Sequence, residues 1–186
     1  MTADPHAPVE PGHILAFWRE AGPKKWYSKD DAFDAAIRER FLSTYEAGAA
    51  GQLAHWEATP DGALALVIVL DQFPRNMFRG DARTFAADPL ARAVADRALL
   101  RGFDRAAAPA LRTFFYLPFE HSENLADQER CVALNRAAED ADGLKWAELH
   151  ADIIRRFGRF PHRNKALGRA TTPEEQAFLD AGGFAG

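Results

Sequence analysis

The chain has 186 residues, and 27 acidic against 23 basic side chains give a formal charge of −4, a balance that argues against a general nucleic-acid binder. At 47% hydrophobic the chain can bury a substantial core, which excludes disorder for its bulk; its longest apolar run, Ala63 to Leu70, spans eight residues where a membrane helix needs about 20. Alanine fills 37 positions while valine and isoleucine together fill 10, which favours helix because β-branched side chains lose rotamer freedom there and alanine has none to lose. The length fits one helical domain over 13–186 behind a loose, proline-bearing tail over 1–12, which lacks the basic start and apolar stretch of a signal peptide. The single Cys131 can form no internal disulfide, so a cytoplasmic setting is expected.

Apolar residues recur at helical spacing along nearly the whole chain. Ile14, Leu15, Phe17 and Trp18 predict a first helix that stops near Gly22-Pro23. Ser28 stands three residues before Asp31 and predicts a capped start for a helix burying Phe33, Ile37, Phe41 and Tyr45 and fading at Gly48. Thr59-Pro60 opens the next helix, whose Ala63–Leu70 body is apolar all round and therefore central, with a buried strand as the rival reading. Asp88-Pro89 starts another helix that ends near Gly102, and Ala108-Pro109 one that ends before Pro118. Asn124–Ala141 and Leu144–Phe157 read as an antiparallel hairpin joined at Asp142-Gly143. Thr172-Pro173-Glu174-Glu175 caps the last helix, which runs out at Gly182-Gly183. The class is all-α, about eight helices, with no clear sequence repeat.

Two segments share one grammar. Asp71-Gln72-Phe73-Pro74-Arg75-Asn76-Met77-Phe78-Arg79-Gly80 and Phe160-Pro161-His162-Arg163-Asn164-Lys165-Ala166-Leu167-Gly168-Arg169 each begin Phe-Pro, carry Arg-Asn just inside, and reach a glycine six or seven residues past the proline. A helix opening at proline presents free N–H groups to an anion, and an arginine fork adds two-point recognition of carboxylate or phosphate. Arg75, Asn76, Arg79, Arg159, Arg163 and Asn164 are therefore candidate anion ligands, with Asp71 and Gln72 orienting them. The other reading ties these arginines to internal acids. Between Ile153 and Pro173 no acidic residue occurs, yet Arg155, Arg156, Arg159, Arg163, Lys165 and Arg169 supply +6. Seven acids lie between Glu120 and Asp142, so the two runs either pair with each other or leave a positive basin on an acidic protein.

A third segment, Tyr116-Leu117-Pro118-Phe119-Glu120-His121-Ser122-Glu123-Asn124, sets His121 beside Glu123. A carboxylate there would raise the imidazole's proton affinity and make an acid–base pair. Alternatively Ser122 or Asn124 caps the following helix, and Glu123 favours that helix's positive end. No His-x-x-x-His pair is present, so a helical metal site has little support, although His121, Glu123, His150 and His162 could assemble in space. No phosphate-cradling glycine loop occurs and no cofactor is implied. Cys131 reads as a buried, inert thiol, and Trp18, Trp26, Trp56 and Trp146 as core or groove anchors.

At these segments the chain resembles a bacterial family filed as a domain of unknown function, number nine-two-four. The carrying residues are Phe17-Trp18 with Trp26, Asp71 to Asn76 with Phe78-Arg79-Gly80, Phe115-Tyr116-Leu117-Pro118 with His121-Ser122-Glu123, Gln128-Glu129, and Arg156 to Asn164. The resemblance spans Ile14 to Leu179 and implies a tetratricopeptide-repeat-like (TPR-like) α–α superhelix, with no established activity, substrate or cofactor. It also implies an apolar residue where Glu120 stands and a phenylalanine where Tyr27 stands. Three functions remain open: a helical binding module for a small anionic ligand or an acidic protein segment; an enzyme on a carboxylated or phosphorylated metabolite, with Arg75 and Arg163 holding the anion and His121 or His162 moving a proton under Glu123 or Asp71; and a buried polar network that fixes helix register, with the partner surface elsewhere.

Overall fold

A computed structural model describes residues 7–184; their regular elements are all helices, with no strand among them. The helices are α1 (Pro11–Ala21), α2 (Pro23–Trp26), α3 (Asp31–Ala49), α4 (Pro60–Val67), α5 (Phe73–Met77), α6 (Asp88–Leu100), α7 (Pro109–Arg112), α8 (Leu117–Glu120), α9 (Leu125–Ala137), α10 (Ala141–Phe157) and α11 (Pro173–Asp180). Short 3₁₀ turns connect several of them. The described residues divide into two compact units, one holding 7–79 and 83–118, the other 80–82 and 119–184. Of the expected N-terminal tail, residues 1–6 lie outside the described part. Pro11 already opens α1, and the Val9 N–H donates to Thr44 Oγ1 at 3.0 Å.

In the first unit the apolar run Ala63–Leu70 is buried on every side and helical, not a strand. Its cap is the expected one, Thr59 Oγ1 accepting from Gly62 N at 3.1 Å. The run leaves α4 through an i→i+5 turn, Ile68–Gln72, that leads directly into α5. Pro74 therefore does not restart a helix. The wider turn sits just where a proline has no N–H to give and its ring would crowd the carbonyl of the turn before. Around this axis the aromatic side chains interlock: Trp18 lies 5.5 Å from Phe114 and 5.8 Å from Phe73, and Phe73 stacks on Phe41 at 5.1 Å. The predicted cap at Ser28 is displaced. Asp30 caps α3 by accepting from Ala32 N and Phe33 N, while Ser28 Oγ donates back to Lys24 O.

The second unit is built on the α9–α10 hairpin. Asn124 caps α9 and Asp140 caps α10 through their side-chain oxygens. The reversal falls earlier than Asp142-Gly143, at Ala138 to Asp140, where Glu139 takes a left-handed φ of 56°. Gly143 instead lies in the first turn of α10, and its role is space. A Cβ there would stand 2.3 Å from Asn135 Oδ1. Phe160 and the α10 residues Ile153 and Ile154 form this unit's apolar centre, with Phe157, Phe178 and Phe184 packed on it.

Candidate functional site

The first Phe-Pro segment ends in a set of carboxylate clasps inside the first unit. Arg75 lies four residues after Asp71 and one helix away from Asp88, the first residue of α6. Its Nη1 and Nη2 donate to the two Asp88 oxygens at 2.9 and 3.1 Å, and Nη1 also donates to the Asp71 carbonyl at 2.6 Å. The Asp71 carboxylate stands 3.4 Å from Nη1 and accepts from Gln72 Nε2 at 2.6 Å. Burial alone would lower the affinity of this guanidinium for its proton; the charges of Asp71 and Asp88 and the hydrogen bond to Asp88 outweigh it and hold the group charged beyond its usual range. Asn76 Nδ2 donates to Asp34 Oδ1 at 2.7 Å, and Arg79 closes a fork on the same Asp34 carboxylate through Nε and Nη2. Asp34 belongs to α3, so the pair ties α3 to α5.

The second Phe-Pro segment repeats that construction in the second unit. Asn164 Nδ2 donates to Glu175 Oε2 at 3.1 Å, and Arg159 grips Glu175 with both Nε (2.6 Å) and Nη2 (2.9 Å). In each motif, then, an asparagine and a nearby arginine share one carboxylate from another helix. The Arg159 hydrogen bonds, aided by the Thr172 N–H, the Arg159 charge and Asn164, hold the Glu175 carboxyl down to about 2 against the opposing effect of burial. Glu175 also completes the predicted capping box of α11 with Thr172. Arg163 Nη2 donates to the His121 carbonyl at 2.9 Å, and its guanidinium lies over the Phe160 ring, 4.6 Å from the centroid.

Glu123 is the acid that the sequence sets beside His121, and its carboxylate is taken up elsewhere. Arg169 grips it at 2.7 and 3.0 Å, and the Phe160 N–H donates to it at 2.8 Å. Burial pushes its proton affinity up, but the Arg169 hydrogen bonds, the Phe160 N–H and the charges of Arg169 and Arg163 bring it below the ordinary value. Arg169 Nε donates on to Asn164 Oδ1 at 3.0 Å, so Glu123, Arg169, Asn164, Glu175 and Arg159 form one continuous chain of polar contacts. Gln128, wholly buried, anchors the His-Ser-Glu segment from below: its Nε2 donates to the carbonyls of Glu120 (2.5 Å) and Ser122 (2.6 Å).

Glu120 and His150 do more here than the sequence suggested. Glu120 is buried; one carboxylate oxygen stands 3.5 Å from His150 Nδ1 and the other 3.9 Å from Cys131 Sγ. His150 Nδ1 also contacts the Trp146 carbonyl at 2.8 Å, one turn back on α10. Burial lowers the His150 imidazole to about 4, and burial with the neighbouring Arg163 charge lowers His162 to about 3, so both rings are neutral near pH 7. Burial and the Glu120 charge push the Cys131 thiol upward, consistent with an inert sulfur. Trp146 itself is 48% exposed, so of the core or groove roles expected of the tryptophans it does not take the core one.

Four residues of the basic run pair with acids: Arg155 with Asp152, Arg156 with Glu174, Arg159 with Glu175 and Arg169 with Glu123. Among the described residues no group of three or more His, Cys, Asp or Glu side chains could hold a metal ion, and no helix is long and apolar enough to cross a membrane. A hollow in the first unit, lined by Leu66, Leu70, Leu90 and Val94 with Gly48 and Glu57, has a volume of about 30 Å³, room for a water or two.

These features define an all-α protein whose sequence motifs are carboxylate–arginine clasps between helices. The chain belongs to the family described as bacterial protein of unknown function (DUF924), whose model matches residues 14–183. Among solved structures it is similar to the protein of unknown function ATU0120 from Agrobacterium tumefaciens, at 49% identity and a TM-score of 0.89, over 92% of this chain and 97% of that one. Among curated proteins no sequence matches the chain.

Proposed function

We propose that the chain is a non-catalytic, cytoplasmic helical binding module of the TPR-like kind, in which the two Phe-Pro motifs hold helices in register and a protein segment is the ligand. One observation carries this reading: Arg163 donates to the His121 carbonyl, and the other three candidate forks are occupied by the chain's own carboxylates, Arg75 by Asp88, Arg79 by Asp34 and Arg159 by Glu175. An external carboxylate or phosphate entering any of them must displace a two-point charged hydrogen bond and leave an acid unpaired. The enzyme reading has less support. The acid–base pair suggested by the sequence needs the Glu123 carboxylate on the His121 imidazole, and Glu123 is spent on Arg169 and the Phe160 N–H.

A thermal-shift screen against carboxylated and phosphorylated metabolites tests the proposal. A ligand present at 100 times its Kd adds about 2.7 kcal/mol of stability. The expected result is no saturable shift across the panel. A shift that disappears in Arg75→Ala or Arg163→Ala, with the fold retained, would overturn the proposal in favour of an anion site.

A further inference from the structure

One face of the first unit keeps its cations out of the clasps. Lysine is scarce in this chain, yet Lys24, Lys25 and Lys29 fall together at the corner between α1 and α3. α2 makes that corner, and it is firmly held. Gly22 takes a left-handed φ of 68° and its N–H donates to Trp18 O at 3.3 Å; Trp26 Nε1 donates to the same carbonyl at 2.7 Å. The Trp26 ring stacks on Trp18 at 6.0 Å and meets Phe114 edge-on at 5.1 Å. With the indole fixed to the core, its neighbours Lys24, Lys25 and Tyr27 are exposed, Tyr27 to 62%.

From the corner a row of cations and rings crosses from α2 to α3. Lys25 Nζ lies over the Phe33 ring at 5.4 Å, Phe33 stacks on half-buried Phe17 at 5.4 Å, and the Arg40 guanidinium lies over Phe17 at 4.7 Å. These three steps are a reach that about five residues of extended chain cover. A ring face attracts a cation but leaves its N–H donors unsatisfied. Among the described residues Lys24, Lys25 and Arg40 form no ion pair, unlike Arg75, Arg79 and Arg159. The acids close in sequence are mostly committed. Asp31 stands 3.5 Å from Lys29, Asp34 is held by Arg79 and Asn76, and Asp30 caps α3. Once those two ion pairs are set aside, Arg19, Lys24, Lys25, Arg38 and Arg40 remain with Glu20, Asp30 and Glu39, a positive surplus on a molecule of net charge −4.

We infer that this strip receives the protein segment of the proposed function, and that the segment is acidic, with carboxylates spaced between apolar side chains. The inference rests on the binding-module reading and adds to it a place and a chemistry. Carboxylates meet Lys24 and Lys25 at one end and Arg40 at the other, while an apolar side chain between them lies on Phe17. Tyr27 and the lysine stems extend the apolar contact. Because the corner is already fixed, docking orders little of the module itself.

The test follows NMR shifts of backbone amides and tryptophan indoles in the full chain, titrated with a capped synthetic peptide of alternating glutamate and tyrosine. Saturable shifts are expected at Phe17, Arg40 and residues 24–29, and salt should weaken them because the charges are exposed. Lys24→Glu combined with Lys25→Glu should weaken binding about tenfold, whereas Lys145→Glu with Lys165→Glu, an equal change in net charge, should alter it less than about twofold. All four lysines are exposed, and the spectrum of each variant reports whether its fold is kept. Equal weakening by both double variants would overturn the strip, because the attraction would then belong to the whole molecule. Shifts confined to other surfaces, or none, would also overturn it, while the binding-module reading stands or falls separately on the metabolite screen. Binding to equimolar phosphatidylserine–phosphatidylcholine vesicles but not to the peptide would overturn it in favour of a lipid surface.

Discussion

Arg75 shows why an arginine that looks like a ligand in sequence becomes a strut in structure. The residue type needed to receive an external carboxylate is the type needed to receive Asp88, and the sequence offers both possibilities at once. What decides is the position of Asp88, 13 residues on and at the first turn of α6, a distance that local reading does not cover. Glu123 illustrates the same point from the acid side. Its neighbour in sequence is His121, yet its partner is Arg169, 46 residues away. Replacing Glu123 by Gln should remove the two-point contact and leave Arg169 half-satisfied, costing about 2 kcal/mol in urea unfolding at pH 7. Because folding lowers the Glu123 proton affinity, this stabilisation is whole above about pH 4.5 and is lost as pH falls through the folded value. Wild type and Glu123→Gln should therefore converge in stability as pH falls below about 4.5. A gap that persists unchanged at pH 3 would show that the carboxylate's charge is not what stabilises.

At the scale of elements, signals with a local cause were legible and signals with a distant cause were not. Thr172 and Glu175 form the reciprocal cap that their spacing predicts, because both partners lie in one helical turn. Removing the hydroxyl in Thr172→Ala should cost about 1 kcal/mol, measured by chemical denaturation. Asp142-Gly143 was misread as the hairpin turn because glycine signals both permissive backbone and missing volume. Here the volume matters: Asn135 Oδ1 and Asp140 Oδ2 lie 2.3 and 2.8 Å from where a Cβ would stand. Gly143→Ala should accordingly destabilise by about 1–3 kcal/mol despite alanine's better helix propensity; a stabilised variant would mean that the Asn135 and Asp140 side chains give way and the space is not what matters. Pro74 was likewise read as a helix start. Nothing local announces the wider turn of Ile68–Gln72 that carries the helix past the proline, since it depends on how the fully buried run packs.

For the whole molecule, the all-α class, the buried central run and the family were readable from composition, periodicity and motif strings. The excess of 18 arginines over 5 lysines was legible as a question rather than an answer. Its resolution lies in geometry: planar forks match carboxylates at two points, and four of the five candidate or motif arginines do so with acids of the same chain. Such a network places charge where it fixes helix register and leaves little of it available to a small ligand. A residue kept for a ligand behaves differently, because its removal usually leaves stability unchanged or improved. The most direct measurement is a double-mutant cycle between Arg75 and Asp88, read by urea unfolding of wild type, Arg75→Ala, Asp88→Ala and the double variant. The account predicts that each single change costs about 3 kcal/mol and that the pair is coupled by about 2 kcal/mol. A stable Arg75→Ala with coupling below about 0.5 kcal/mol would contradict it and return Arg75 to the role of a ligand-binding residue.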